Sequence, residues 1–293
     1  MGYKRSRDDM EGKPASTDAR PSPFMPMFEH FRAELDEHHD RRERIIKASR
    51  DITAASKKII FTLQRVRSLA QPLPGHVQKG NKQYYDKISE QLGAVVRDLQ
   101  GLNTYRYARQ ISGGCQEWME SASFQHYLEY GEIISYEDAV KQLRSISKPT
   151  PKPQDTQPDL PIPDTNAYDP PQLEDIGVDL TPEDYILGIY DMTGELMRFA
   201  ITTMATSGAL PTLPNSSLNR NVLTDMRNLR SALEALETGS GPFSKDTEKK
   251  AEVMRQSVEK VEKALYGLTV RGAERPRGWV PELEGGRGVE VEG

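Results

Sequence analysis

Residues 28–70 read FEHFRAELDEHHDRRERIIKASRDITAASKKIIFTLQRVRSLA, and their spacing sets the fold class. Apolar and small residues recur at alternating intervals of three and four, from Phe28 through Ile45 and Ile59 to Ala70. This spacing places them on one face of a helix, as in a coiled-coil seam. It predicts one helix of about 43 residues, roughly 60 Å long. A compact domain of this size does not need so long a helix, so it should support a bundle or reach into an oligomer.

The remaining chain also shows helical periodicity, and no segment shows the alternation of a strand. Gln71–Gly75 contains two prolines and is predicted to end the first helix. Further helices are predicted at about 82–111, 114–130, 135–146, 181–201, 217–238 and 244–270, with a Gly113-Gly114 break before the third helix. Ser135 and Thr181 are the expected N-caps of two of them. The pattern therefore predicts an all-α bundle of long antiparallel helices.

Three segments lack this periodicity. Residues 1–23 and 271–293 are polar or rich in glycine and proline, which is typical of disordered tails. Residues 149–171 contain eight prolines and belong to a predicted proline-rich loop, 148–180. Helical periodicity returns after this loop, so we interpret residues 24–270 as a single helical domain.

The composition excludes several classes of protein. With 39 basic and 44 acidic residues, the net charge of −5 gives no global attraction to nucleic acid or to a membrane. The single cysteine, Cys115, excludes an internal disulfide and fits a reducing compartment, cytoplasmic or nuclear. The sequence has no run of 18 apolar residues and no secretory signal pattern. It also lacks the GxSxG, Walker, CxxC and HExxH motifs of common hydrolases and zinc enzymes.

The first predicted helix is rich in cations away from its apolar face. Nine lie within 27 residues: Arg41, Arg42, Arg44, Lys47, Arg50, Lys57, Lys58, Arg65 and Arg67. They form either an ordinary solvated face or a basic stripe that follows a phosphate backbone. In the second case, Arg44, Lys47, Lys57 and Lys58 are the candidate nucleic-acid-binding residues.

Two acidic pairs lie in different predicted helices. Glu117 and Glu120 are three residues apart, and Asp191 and Glu195 are four apart, so each pair shares a helix face. One interpretation is structural: the first pair faces solvent, while Arg198 or a cation of the first helix neutralises the second. The other interpretation places all four carboxylates around one cavity. Carboxylate oxygens are the ligands that Mg²⁺ and Mn²⁺ prefer, and such a site suits phosphodiester hydrolysis.

Three segments together carry a family resemblance: residues 31–65, residues 113–140 (GGCQEWMESASFQHYLEYGEIISYEDAV) and residues 184–202 (DYILGIYDMTGELMRFAIT). They resemble the translin family, in its nuclease-bearing branch. The combination of QExxE with DxTGELMR is the specific part of this resemblance, which covers about 28–237. It implies a bundle of seven helices that joins translin subunits in a hollow hetero-octamer around single-stranded RNA or DNA.

The resemblance also implies an activity, that of a Mg²⁺-dependent endoribonuclease that removes passenger strands of small RNAs and processes tRNA precursor fragments. Glu117, Glu120 and Asp191 match the catalytic carboxylates, and Glu120 and Glu195 match the metal ligands. The alternative is a non-catalytic subunit that binds single-stranded nucleic acid or stabilises translin. A third hypothesis is a helical scaffold that uses its heptad seam only for coiled-coil contacts.

Overall fold

The computed structural model describes residues 22–148, 176–214 and 220–271. Within these ranges there are eight α-helices: α1 Met25–Leu63, α2 Gly75–Val95, α3 Leu102–Arg106, α4 Ala108–Tyr130, α5 Tyr136–Ile146, α6 Pro182–Ser207, α7 Val222–Glu234 and α8 Pro242–Arg271. A short 3₁₀ helix, Val96–Leu99, lies between α2 and α3. The all-α prediction is confirmed, with eight helices instead of seven. The predicted tails and most of the proline-rich loop lie outside the described residues.

The first helix is shorter at its C-terminal end than predicted. α1 ends at Leu63 and not at Ala70, and the chain continues as an irregular segment to Gly75. Val66 and Leu69 are nevertheless 3% and 6% exposed, so the apolar spacing continues because the segment packs on the core. The guanidinium of Arg67 donates to the carbonyl oxygens of Gln64 and Val66, at 2.5 and 2.8 Å. These bonds satisfy carbonyl groups that no longer have a helical partner.

The second predicted helix is divided, and the Gly113-Gly114 break was wrong. The chain leaves the helical path at Gly101, whose φ of +61° favours glycine, and α4 begins at Ala108. Both glycines lie inside α4. A Cβ atom on Gly114 would lie 3.0 Å from the carbonyl oxygen of Ser49, so this glycine permits close contact between α1 and α4. Glycine is therefore needed here for packing and not for a turn.

Both predicted N-caps are confirmed. Ser135 Oγ accepts from the amide of Asp138, and Thr181 Oγ1 accepts from the amide of Asp184, each at 3.1 Å. The last two helices begin at Val222 and Pro242, close to their predicted starts. On α8 the inner face contains Met254, which is fully buried, whereas the neighbouring Val253 is 59% exposed.

The core lies around α6, which packs against α4 and α8. Trp118 and Phe124 of α4 and Phe199 of α6 are almost completely buried in it, together with Ile52 and Ile59 of α1. In the described ranges, no helix is long and apolar enough to cross a bilayer. By its contacts the chain divides within α1, after Arg41.

Candidate functional site

The two acidic pairs lie on helices that touch each other. α4 carries Glu117 and Glu120, and α6 carries Asp191 and Glu195. The two helices pack closely at Gly188, because a Cβ atom there would lie 2.7 Å from Cβ of Met119. This contact is one turn from Asp191 on α6, and Met119 is next to Glu120 on α4. We call the four carboxylates the acidic cluster.

Electrostatics place the four carboxylates in one environment. The pKa of Glu120 is raised to about 8, chiefly by burial and in addition by the negative charges of Asp191, Glu117 and Glu195. The ammonium of Lys250 opposes these effects and lowers it. Glu120 therefore carries a proton at neutral pH unless another cation reaches the cluster.

The other three carboxylates each pair with a cation. The pairs are Lys57 with Glu117 at 3.3 Å, Arg198 with Glu195 at 2.6 Å, and Lys250 with Asp191. The structural interpretation is thus right about Arg198. A first-helix cation was the alternative to Arg198; in the structure Lys57 of α1 pairs with Glu117, and Asp191 takes its partner from α8. The two acidic pairs thus lie near enough to affect each other, and three of their four carboxylates are paired with cations.

Two contacts at the acidic cluster were missed from the sequence. Lys250 lies four residues before the buried Met254, so the correct phase of α8 would have placed it on the inner face. Gln64 donates from Nε2 to Glu195 Oε2 at 2.6 Å. It stands just after the end of α1, where the prediction continued the helix, and no sequence signal marked it.

The oxygen atoms of the acidic cluster suit a hard divalent cation. Glu117 Oε2 is buried and has no hydrogen-bond partner among the described residues. Glu120 is surrounded by like charges and is held neutral by a proton. A carboxylate-rich site with an unpartnered oxygen fits Mg²⁺ or Mn²⁺ in its donor chemistry. In the described part of the chain, no three His, Cys, Asp or Glu side chains are arranged to hold a metal ion as they stand.

The four candidate nucleic-acid-binding residues are in different situations. Arg44 binds Asp98 through two hydrogen bonds of 3.0 Å. Lys57 lies at the acidic cluster. Lys47 and Lys58 are exposed on α1. Only Lys57 is therefore brought to the candidate site, and Arg44 is held by a carboxylate in this chain.

Comparisons with known proteins agree with this architecture. The Translin family model matches residues 40–272. Translin-associated protein X of Mus musculus is 34% identical over 94% of this chain and 90% of that protein. A homologue in Schizosaccharomyces pombe is 27% identical over 85% of this chain and 89% of that protein.

Solved structures share the fold at lower sequence identity. The structure described as an AfC3PO–duplex RNA complex superposes with a TM-score of 0.56 and 20% identity, covering 85% of this chain and all of that one. Apo-NeC3PO superposes with a TM-score of 0.52 and 13% identity, covering 82% and 97%. These likenesses concern the fold alone. The family match extends over most of the chain and includes both acidic pairs, and on that basis the chain belongs to the translin family.

Proposed function

We propose that this chain is a metal-dependent endoribonuclease subunit that acts on single-stranded RNA in a hetero-oligomer with translin. The observation that carries the proposal is the raised pKa of Glu120, caused by burial and by three neighbouring carboxylates. Such a concentration of negative charge is unfavourable for folding, and strongly perturbed carboxyl groups concentrate at functional sites. A divalent cation would relieve it.

The acidic cluster supplies the proposed ligands, with Glu120 and Glu195 binding Mg²⁺ or Mn²⁺. When bound by these residues, the cation would supply activation of a water molecule and neutralisation of charge on the phosphoryl group. Cation binding requires Glu120 to release its proton, so it should be favoured by higher pH. Gln64 and Arg198 each donate a hydrogen bond to one carboxylate oxygen of Glu195, and these bonds hold the proposed ligand in position.

The remaining side chains have separate proposed roles. Glu117 has one oxygen paired with Lys57 and one buried oxygen without a partner, which suits it to accept a proton from the attacking water. Lys57 is 63% exposed and pairs with Glu117, and in this proposal its ammonium stabilises the charge that develops on the phosphate. Asp191 is oriented by Lys250 and adds to the negative charge that the cation must balance.

The relatives support the proposed partner and substrate. The name of the mouse protein links that protein to translin, and one structural neighbour was described with duplex RNA. We extend these associations to this chain as part of the proposal. The proposed substrates are passenger strands of small RNAs and tRNA precursor fragments.

A double substitution tests the proposal. Glu117→Gln with Glu120→Gln keeps the size of both side chains and removes their charge. In the complex reconstituted with translin, we expect at least a hundredfold loss of Mg²⁺-dependent cleavage of single-stranded RNA, with assembly and RNA binding retained. Glu132→Gln, an exposed residue just beyond α4, is the matched control and should cleave normally. Unchanged cleavage by the double variant would contradict the catalytic assignment.

The second candidate function is a non-catalytic subunit that binds nucleic acid or stabilises translin. It is favoured by the three ion pairs that already neutralise Glu117, Asp191 and Glu195. This candidate predicts that the wild-type complex has no Mg²⁺-dependent cleavage beyond that of translin alone. Loss of cleavage with intact RNA binding in the double variant would exclude it.

A further inference from the structure

A basic pocket, separate from the acidic cluster, lies between α1 and α4. Its lining includes three arginines, Arg42 and Arg50 from α1 and Arg109 from α4, together with Ser49 and Gly113. Its volume is about 490 Å³, within the range of small-molecule sites. None of the described residues that line it is acidic.

Two of the three arginines of this pocket have no direct acidic partner among the described residues. Arg50 and Arg109 make no ion pair or side-chain hydrogen bond with another described residue, and Arg42 makes only a 3.4 Å contact with the adjacent Glu43. Three guanidinium groups around one cavity repel each other unless an anion lies between them. The planar fork of a guanidinium matches the oxygen atoms of a phosphate.

The pocket and the acidic cluster are connected by the α1–α4 contact. Ser49 Oγ accepts from the amide of Gly114 at 3.0 Å, and further along both helices Lys57 meets Glu117 at 3.3 Å. Residue numbers increase in the same direction on both helices, so the two helices run parallel here. A strand that follows this contact reaches both sites in turn.

The separation of the two sites corresponds to a few nucleotides. Arg50 precedes Lys57 by seven residues on α1, which is about 10 Å, and Arg109 precedes Glu117 by eight on α4, which is about 12 Å. Successive nucleotides of a stacked strand rise by about 3.4 Å. The pocket therefore lies roughly three nucleotides from the acidic cluster.

We propose that this pocket binds the terminal phosphate of the RNA strand that the acidic cluster cleaves, and this inference rests on the proposed function. An internal phosphodiester carries a single negative charge, whereas a terminal phosphate carries nearly two at neutral pH. Three arginines, of which only Arg42 has a carboxylate partner, match the dianion better. The pocket would then set the distance from the strand end to the cleaved bond.

Binding without cleavage gives the first test. In EDTA, the full-length chain in complex with translin is titrated with internally labelled single-stranded RNA bearing a 5′-phosphate, a 3′-phosphate or hydroxyls at both ends. We expect RNA phosphorylated at one of its two ends to bind with a Kd about tenfold lower than RNA with hydroxyls at both ends. Inorganic phosphate should compete for the pocket and reduce this difference. The preferred end identifies the polarity of the bound strand.

Variants locate the effect in the pocket. Arg50→Ala with Arg109→Ala should abolish the advantage of the phosphorylated end. Gly113→Leu should do the same without removing charge, because its side chain enters the pocket while leucine is a good helix former. Arg97→Ala removes an exposed guanidinium outside the pocket and is the control. It should keep the full advantage.

A circular single-stranded RNA separates this inference from the nuclease proposal, because it has no ends. Cleavage of circular RNA should not respond to the pocket variants. If wild-type protein cleaves RNA but binds all ends equally, the pocket inference is overturned and the nuclease stands. If the end preference persists while Mg²⁺ supports no cleavage, the nuclease proposal is overturned and binding of the terminal phosphate in the pocket stands. Loss of translin assembly in the pocket variants, with end preference retained, would identify a protein contact and overturn the inference.

Discussion

At the scale of single residues, Glu120 shows how a site can oppose the stability of its own domain. Its pKa rises from an ordinary value of 4.5 to about 8 in the folded chain. Asp191 and Glu195 contribute to this rise although they are more than 70 residues away in the sequence. A carboxyl group held neutral by its neighbours is expected where a cation is meant to replace the proton.

This pKa shift predicts a pH dependence of stability. Between pH 4.5 and about 8 the folded state keeps a proton that the unfolded state has released, so the free energy of unfolding falls as pH rises. The slope reaches at most about 1.4 kcal/mol per pH unit. In EDTA, we expect urea unfolding to show that Glu120→Gln gains stability over wild type as pH rises from 5 to 8.

Divalent cation provides the control for this prediction. Mg²⁺ should stabilise the wild type at pH 8 and should have a smaller effect on Glu120→Gln. A stability difference between the two proteins that does not change with pH would mean that Glu120 is charged in the folded state without metal.

At the scale of helices, the contact between α4 and α6 determines whether the acidic cluster forms. Gly188→Ala would bring a Cβ atom within 2.7 Å of Met119 Cβ and 3.0 Å of the Gln116 carbonyl oxygen. Neither is the flexible end of a side chain, so the helices must separate. We expect a loss of about 1–3 kcal/mol in chemical unfolding, with reduced cleavage because the two acidic pairs move apart.

Gly194 on the same helix is the matched comparison for stability. Among the described residues, no atom beyond its chain neighbours and the backbone of its own helix lies within 4 Å of a Cβ built there, so Gly194→Ala removes only the helix-destabilising effect of glycine. It should gain up to about 1 kcal/mol. Equal effects at the two positions would show that the helix contact at Gly188 is not close.

The sequence predicted helices better than it predicted where they end. Periodicity identified the long helices, and the Ser135 and Thr181 caps identified two starts, because capping depends on residues within one turn. The end of α1 was misplaced because Val66 and Leu69 are buried in an irregular segment. Burial produces the same apolar spacing whether or not the backbone is helical.

The sequence singled out the four carboxylates and offered Arg198 as a partner, but it did not indicate Lys250 or Gln64. Carboxylates within an apolar helix are unusual enough in the sequence to indicate a special environment. Lys250 lies 59 residues after Asp191 and reaches the acidic cluster from α8. Gln64 reaches it from the end of α1. Such contacts depend on how α8 and α1 pack against α6, which residue spacing within one helix does not specify.

At the scale of the whole molecule, charge acts locally. The chain has a net charge of −5, yet the basic pocket has three arginines and no acidic residue in its lining. Binding of a polyanion should therefore depend on a few defined contacts and weaken with salt according to their number. The first part of α1 suggests a different kind of contact, since it exposes several large apolar residues among its charged ones.

The apolar residues before Arg41 predict an assembly surface. Phe28, Phe31 and Leu35 are 61%, 47% and 68% exposed, and they follow the three-four spacing of a helix that packs on another helix. Phe31→Ser with Leu35→Ser should reduce association with translin at least tenfold, measured by mass photometry of the mixed proteins. The free energy of unfolding of the single chain should hardly change, because these side chains are exposed in it.

Asp36→Asn, an exposed residue of the same segment, is the control and should leave association unchanged. Full assembly of the double variant would show that this part of α1 does not contact the partner. Loss of assembly together with a loss of single-chain stability would instead indicate that the segment contributes to folding. Only a loss of assembly at unchanged stability supports an interface, because an exposed apolar surface gains its stabilisation when a partner covers it.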